Sequence, residues 1–268
     1  SGWLELSRIA TQKGERSIAR RAVAEAVWRG RRRPEVLVKA ASLLSAVGSH
    51  ASAQRLLRAG MRKRPEDAAL RRKFANLTEQ AGDLEAALRA WLNCAEIEPQ
   101  EPEPLRRAAG VAVQLGQLEK SIELRERAVG LAPRNGKVRR ELAGAYLKLG
   151  RVQPGLAAYE AASKELSNDP TLPLEAADAA LLAGAIDEAL QWTERAQQVA
   201  ADPGRIQAAQ GEAYLSRYQW EEAETALGEA IALGNMAPRV LAMLSIIASR
   251  TDLLDRGDHD VLVAARPA

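Results

Sequence analysis

The chain has 268 residues, 47% hydrophobic and 27% charged, so it is long enough and apolar enough to bury a substantial core. A single cysteine excludes a disulfide framework and a structural zinc site. No apolar run approaches the roughly 18 residues that a membrane span needs. The net charge of +3 hides an asymmetry, because residues 1–75 carry 18 Lys and Arg against 6 Asp and Glu, whereas residues 151–268 carry 9 against 18. We therefore expect one positive and one negative end, a distribution that steers partners.

Glycine recurs with a period of 34 residues. The series is Gly14, Gly48, Gly82, Gly116, Gly150 and Gly184, and the next step falls on Tyr218. A period between about 20 and 50 residues is typical of a repeat architecture. Repeat proteins mostly provide extended binding surfaces, so the period bears on function as well as on fold.

Small residues also recur at three fixed distances from the turn in seven successive segments of the chain. They are Ser7, Ala41, Ala75, Ala109, Ala143, Ala177 and Gly211 before the turn, and Ala19, Ala53, Ala87, Ser121, Gly155, Ala189 and Ala223 after it, followed by Ala26, Gly60, Cys94, Ala128, Ala162, Ala196 and Ala230. Because small side chains let helices approach closely, we expect these positions at helix interfaces. Cys94 is therefore interpreted as a packing residue.

The elements predicted in chain order are pairs of amphipathic helices. Apolar residues at spacings of three and four precede and follow each glycine, and a proline follows each second helix. The pattern predicts about 15 to 16 helices and no strand. The repeats are 1–33, 34–67, 68–101, 102–135, 136–169, 170–203 and 204–237.

This pattern resembles the tetratricopeptide repeat (TPR) family. The resemblance rests on the 34-residue unit, the glycine turn, the small residues of both helices and the exit proline, with Trp3 and Leu6 fitting the opening of the family motif. It implies an all-α, right-handed superhelical solenoid of seven repeats over residues 1–237. Residues 238–268 are expected to form a degenerate eighth repeat or capping helices.

The last segment should contain one further turn. Counting on from Tyr218 places this turn at Asp252, after an apolar helix from Val240 to Ala248. Residues 252–264 are expected to fold back and cover that helix, unless a further domain covers it. The chain begins one residue into a repeat, so we expect it to be a fragment of a longer protein.

By the resemblance, the residue ten before each turn points into a concave groove formed by the first helices. These residues are Leu4, Val38, Arg72, Arg106, Arg140, Leu174 and Ala208. The three successive arginines form a ladder suited to carboxylates, because the planar guanidinium donates two hydrogen bonds at once. Lys73 and Arg107 flank the ladder, and Gly110 and Gly144 should leave it accessible.

Some TPR proteins bind chaperone C-termini through a carboxylate clamp. Arg72, Asn76 and Lys137 match clamp positions in type, but Arg107 and Glu141 replace an asparagine and an arginine that the clamp requires. We therefore exclude the clamp and keep Arg72, Lys73, Asn76, Arg106, Arg107, Lys137 and Arg140 as the predicted partner-binding residues.

No catalytic motif occurs in the sequence. His50 has no acid at a fixed spacing, and His259 lies between two aspartates without a second ligand cluster. The sequence thus predicts no enzyme activity, no metal and no cofactor. Trp91 and Tyr159 are expected in the core, and Trp192 is expected to be partly exposed.

The resemblance implies a protein-interaction scaffold whose partner carries an acidic segment. An Ala- and Arg-rich composition suggests a bacterial docking platform in an envelope or exopolysaccharide-export machine, in the periplasm or the cytoplasm. Two alternatives stay open: a cytoplasmic regulatory or polyanion-binding TPR module, and a non-catalytic arm of a larger transferase. The basic run around Arg29 and Arg33 supports polyanion binding, and the charged ends suggest weak head-to-tail self-association.

Overall fold

The structure, a computed structural model, describes residues 2–30 and 33–255. The chain divides into two compact units, residues 1–133 and residues 134–268. Fifteen helices and no strand occur among the described residues, as the sequence predicts. The first unit contains α1 (Gly2–Gln12), α2 (Arg16–Arg29), α3 (Pro34–Ala46), α4 (His50–Lys63), α5 (Ala68–Gln80), α6 (Leu84–Ile97), α7 (Pro102–Gln114) and α8 (Leu118–Leu131).

The second unit continues the same alternation of first and second helices. Each odd-numbered helix packs against the even-numbered helix that follows it, and within each unit the resulting hairpins stack on their neighbours. Its helices are α9 (Gly136–Lys148), α10 (Val152–Ser163), α11 (Leu172–Leu182), α12 (Ile186–Gln198), α13 (Pro203–Ser216), α14 (Trp220–Ala232) and α15 (Pro238–Asp255).

The periodic glycines end the first helices. All six have φ between 69° and 79°, the left-handed region that glycine adopts without steric cost. At Gly116 the following amide, that of Gln117, donates to the Ala112 carbonyl at 2.8 Å and so satisfies a carbonyl of the last helical turn. Tyr218 keeps the same backbone with φ 60°, although it has a side chain. The turns predicted at the six glycines and at Tyr218 are therefore confirmed.

The three series of small residues lie in the helix interfaces. Every member is buried. A Cβ atom on Gly60 would lie 2.8 Å from Leu37 Cδ1, and one on Gly211 would lie 2.6 Å from Leu227 Cγ. Cys94 is only 1% exposed, and burial raises the pKa of its thiol to about 11. The interpretation of Cys94 as a packing residue is confirmed.

Two of the three aromatic predictions hold. Trp91 and Tyr159 are each 4% exposed, but Trp192 is 6% exposed, so the prediction that it is partly exposed is wrong. Its ring belongs to a core cluster to which α11 contributes several alanines, and these small side chains leave room for it. The Arg195 guanidinium, 4.4 Å from the ring centroid, covers the indole further.

The last helix departs from the predicted repeat. α15 runs from Pro238 to Asp255, so the turn predicted at Asp252 does not form. Residues 249–255 contain neither glycine nor proline, and nothing in their backbone therefore ends the helix. Val240, Met243 and Ile247 are buried, mainly against α14, whereas other apolar side chains of α15 are exposed. The fold-back predicted for residues 252–264 lies mostly outside the described residues.

Replacement of Gly116 tests the turn. Glycine can be required at a turn for its permissive backbone or for its small size, but a Cβ atom on Gly116 would meet no atom within 4 Å. Glycine is therefore needed at this position for its positive φ and not for its size. We expect Gly116→Val to lower the free energy of unfolding by roughly 1 to 3 kcal/mol, measured by denaturant unfolding, because a β-branched residue resists positive φ.

Gly130→Ala is the matched control for this variant. Gly130 lies inside α8, and a Cβ atom there also meets no atom within 4 Å. Alanine should stabilise this helix position by about 0.5 to 1 kcal/mol. Equal stability of the Gly116→Val variant and the wild type would contradict the turn assignment.

Candidate partner-binding surface

The first helices α1 and α3 enclose a cleft of about 470 Å³. Leu4, Arg8 and Ser42 line it, together with Lys39 and Leu43. Leu4 is a residue that the sequence assigns to the groove, and the structure places it in one cleft with Arg8 and Ser42.

Not every predicted groove position faces solvent. Leu174 occupies a predicted groove position on α11 but is 3% exposed, so that prediction is wrong. It packs in a cluster with Ala196, Ala201 and Ile206, which belong to α12, the following loop and α13. Leu174 lies in the first turn of α11, and side chains of α12, its following loop and α13 cover it.

Arg72 on α5 and Arg106 on α7 both reach solvent. Arg72 is 46% exposed, and its Nε lies 3.3 Å from the Glu98 carboxylate, an ion pair without hydrogen-bond geometry. Arg106 is 27% exposed, and its Nη1 donates to Glu103 on the same helix at 2.5 Å. A Cβ atom on Gly110, one turn after Arg106, would meet no atom within 4 Å. This part of α7 therefore has open space above its backbone.

Lys73 and Asn76 lie on α5 beside Arg72, and both are partly buried. Burial disfavours the charged form of Lys73 and lowers the pKa of its amine. Lys73 therefore interacts with solvent less than its position beside the ladder suggests.

Arg107 belongs to a different cluster. Its Nη2 donates to Glu79 at 2.9 Å, and the same Glu79 oxygen accepts from Trp91 Nε1 at 2.8 Å. The guanidinium also lies 5.3 Å from the Trp91 ring centroid. Arg107 thus ties α7 to the preceding hairpin. Sequence reasoning missed Glu79, because its partners lie 12 and 28 residues away.

In the second unit, Arg140 donates hydrogen bonds to three side chains of its own chain. Its Nε donates to Glu175 at 2.7 Å, its Nη1 to Asp169 at 2.9 Å and its Nη2 to the Thr171 hydroxyl at 2.8 Å. The side chain is 26% exposed. Arg140 therefore fastens α9 to α11 and to the loop that precedes it. Lys137, one turn earlier, is exposed.

The Arg140 network changes the titration of Asp169. Burial disfavours the charge of this carboxylate, but hydrogen bonds from the Thr171 hydroxyl and amide, together with the nearby Arg140, outweigh burial and lower its pKa. The same carboxylates stabilise the charged guanidinium, and the hydrogen bond to Glu175 is the main reason that the pKa of Arg140 is raised.

Within the described ranges there is no group of three or more His, Cys, Asp or Glu side chains that could hold a metal ion. His50 Nδ1 lies 3.0 Å from the Ser45 hydroxyl, and His259 falls outside the described residues. No described helix combines the length and the hydropathy that crossing a membrane requires.

The tetratricopeptide repeat model matches residues 5–202, which is most of the chain. The chain belongs to the tetratricopeptide repeat family. The predicted all-α TPR fold is therefore confirmed by the family match as well as by the helical hairpins. No curated protein matches the chain in sequence.

Solved TPR structures share the fold at low sequence identity. The C-terminal part of a TPR repeat-containing protein from Cytophaga hutchinsonii has a TM-score of 0.69 at 13% identity, covering 90% of this chain and 99% of that one. A TPR protein from Parabacteroides merdae has a TM-score of 0.55 at 16% identity, covering 92% and 98%. YrrB, described as a TPR protein with an unusual peptide-binding site, has a TM-score of 0.59 at 21% identity, covering 69% and 96%.

Arg140→Gln should weaken the second unit in a pH-dependent way. Because the folded-state pKa of Asp169 is lowered, its stabilisation is present above the ordinary aspartate value of 3.8 and is lost as the pH falls through the folded-state value. We expect the variant to lose roughly 1 to 3 kcal/mol at neutral pH and less below about pH 4, measured by thermal unfolding across pH.

Arg134→Gln provides the control, since Arg134 is exposed and precedes α9. It should leave the pH profile unchanged. A stability loss in Arg140→Gln that is the same at every pH would show that Asp169 does not depend on this arginine.

Proposed function

We propose that this TPR protein is an interaction scaffold whose first helices bind an acidic segment of a partner protein. The TPR fold supports the scaffold role, and TPR proteins are generally non-catalytic. The observation that carries the acidic preference is that α5 and α7 each present a solvent-accessible arginine, Arg72 and Arg106, at the same register position. YrrB offers a precedent for peptide binding within this fold.

Arg106 can exchange the Glu103 carboxylate for a carboxylate of another protein. Glu103 is 48% exposed and lies three residues before Arg106 on the same helix. Ion pairs of this type contribute only about 0.2 to 0.5 kcal/mol. A partner carboxylate that approaches over Gly110 therefore displaces Glu103 at little cost.

Arg72 can bind a partner without releasing Glu98. Its Nε faces Glu98, and a guanidinium has five N–H donors, so both Nη groups remain for an incoming carboxylate. Keeping this pair matters because Glu98 is only 16% exposed, and a buried carboxylate without a cation is costly. Asn76, one turn further along α5, adds an amide that can donate or accept.

The remaining predicted residues contribute differently to this proposal. Arg107 and Arg140 each donate to carboxylates of their own chain, so their first role is to hold neighbouring hairpins together. Lys137 is an exposed cation in the first turn of α9, so within the second unit it can attract an acidic segment. The envelope or exopolysaccharide-export setting stays a prediction from composition.

Neutralising Arg72 and Arg106 tests the proposal. The test variant is Arg72→Gln/Arg106→Gln, and circular dichroism verifies that it folds, because Arg72→Gln removes the cation beside the partly buried Glu98. Binding of a fluorescein-labelled oligoglutamate peptide, followed by anisotropy, should weaken about tenfold, and salt should weaken wild-type binding as well.

Arg89→Gln/Arg127→Gln is the matched control, since it removes the same charge from exposed positions on the second helices α6 and α8. This variant should bind oligoglutamate like the wild type. Equal losses in both double variants would mean that net charge alone attracts the peptide, and the register of the first helices would then have no role.

We also propose weak head-to-tail self-association, supported by the excess of basic residues in 1–75 and of acidic residues in 151–268. Sedimentation velocity should show a larger average mass at about 20 mM salt than at about 500 mM salt, because exposed charge pairs are screened at high ionic strength. A mass that does not change with salt would contradict this proposal.

A further inference from the structure

A second cleft in the first unit lies between the second helices α2 and α4. Its volume is about 670 Å³, larger than that of the cleft between α1 and α3, and the two clefts share no residue. Val23, Val27 and Leu56 line its apolar part, and Leu44 of α3 completes the lining. The cleft is therefore separate from the first-helix surface of the proposed function.

Trp28 lies at the edge of this cleft and is 75% exposed. The other four tryptophans pack against their own chain more closely. Large aromatic side chains contribute most to protein interfaces when they become buried there. An indole exposed to this degree beside an apolar cleft is therefore an available anchor for a partner.

Two arginines border the cleft without a carboxylate partner. Arg20 Nε donates to the Ser49 hydroxyl at 2.9 Å, and Arg55 Nη2 donates to the Ser52 hydroxyl at 3.2 Å. Within the part of the chain that the structure describes, no carboxylate pairs with either guanidinium. Each retains several N–H donors for a bidentate carboxylate.

The surrounding sequence leaves this positive charge uncompensated. Residues 16–64 contain 13 Lys and Arg but only 2 Asp and Glu. In the second unit, by contrast, arginines of the even- and odd-numbered helices pair with acids, as Arg195 does with Glu160 at 2.5 Å and Arg205 with Asp178 at 3.1 Å. The charge around the α2–α4 cleft therefore fits an anionic partner.

We propose that the cleft between α2 and α4 binds an acidic peptide segment of a partner protein. One bulky apolar side chain of the segment enters between Val27 and Leu56 and packs on Trp28, and carboxylates on either side bind Arg20 and Arg55. An apolar lining favours a peptide over a nucleic acid, because it offers nothing to a phosphate and the single Trp28 provides no series of stacking platforms.

The experiment uses the whole chain and two labelled peptides. The first has a central tryptophan between two short blocks of glutamate, and the second has alanine in place of that tryptophan. We expect the tryptophan peptide to bind about tenfold more tightly, and Trp28→Ala to remove most of that difference. Because Trp28 is exposed, this variant should fold like the wild type, which circular dichroism will verify.

Arg20→Glu/Arg55→Glu should weaken binding of the tryptophan peptide at least about tenfold. The matched control is Lys13→Glu/Arg16→Glu, which makes the same charge change at exposed positions of the first repeat outside the cleft. It should bind the tryptophan peptide like the wild type.

Three results would overturn the proposal. Equal binding of the tryptophan and alanine peptides would show that the apolar cleft is not used. Equal losses in the cleft variant and its matched control would assign the effect to net charge. An oligouridylate probe that binds more tightly than the peptide, and is lost in Arg20→Glu/Arg55→Glu, would assign the surface to nucleic acid.

Discussion

The close approach of neighbouring helices is the constraint on which the rest of this structure depends. Small residues stand at three offsets of each repeat, and at Gly60 and Gly211 even one added methyl group would overlap a leucine. Interiors packed to this density tolerate little change in volume. The spacing that results decides which side chains face a neighbouring helix and which face solvent. The positions of the arginines and of the clefts follow from it.

Charge is used in two ways along the chain. Arg107 and Arg140 hold partly buried carboxylates of neighbouring hairpins, and in that setting removal of the cation would leave an unpaired acid. Arg20 and Arg55 donate only to hydroxyls among the described residues, so their charge is directed at solvent. Arg72 and Arg106 lie between these cases, because each has an acid nearby and still reaches solvent. Arginine thus holds neighbouring hairpins together in one repeat and directs hydrogen-bond donors at solvent in another.

The two proposals assign different chemistry to the two kinds of helix in a repeat. First helices offer partly exposed arginines over small residues such as Gly110, which suits an extended acidic segment. The second helices α2 and α4 add an apolar cleft and an exposed indole, which suits a segment with one bulky side chain. A scaffold with both surfaces can hold two segments at once, since the surfaces have no residue in common.

The sequence by itself determined the repeat, the glycine turns, the helical hairpins and the buried small residues, because each depends on local backbone conformation and on side-chain volume at a constant offset. Only the tertiary structure decided the burial of Trp192 and Leu174, the continuation of α15 through Asp252, and the partners of Arg107 and Arg140. Those partners lie 28 to 35 residues away: Arg107 reaches back to the preceding hairpin, and Arg140 reaches the next hairpin and the loop before it. An ion pair or a covered surface across hairpins depends on how far side chains reach between helices, and a period of 34 residues does not encode that reach.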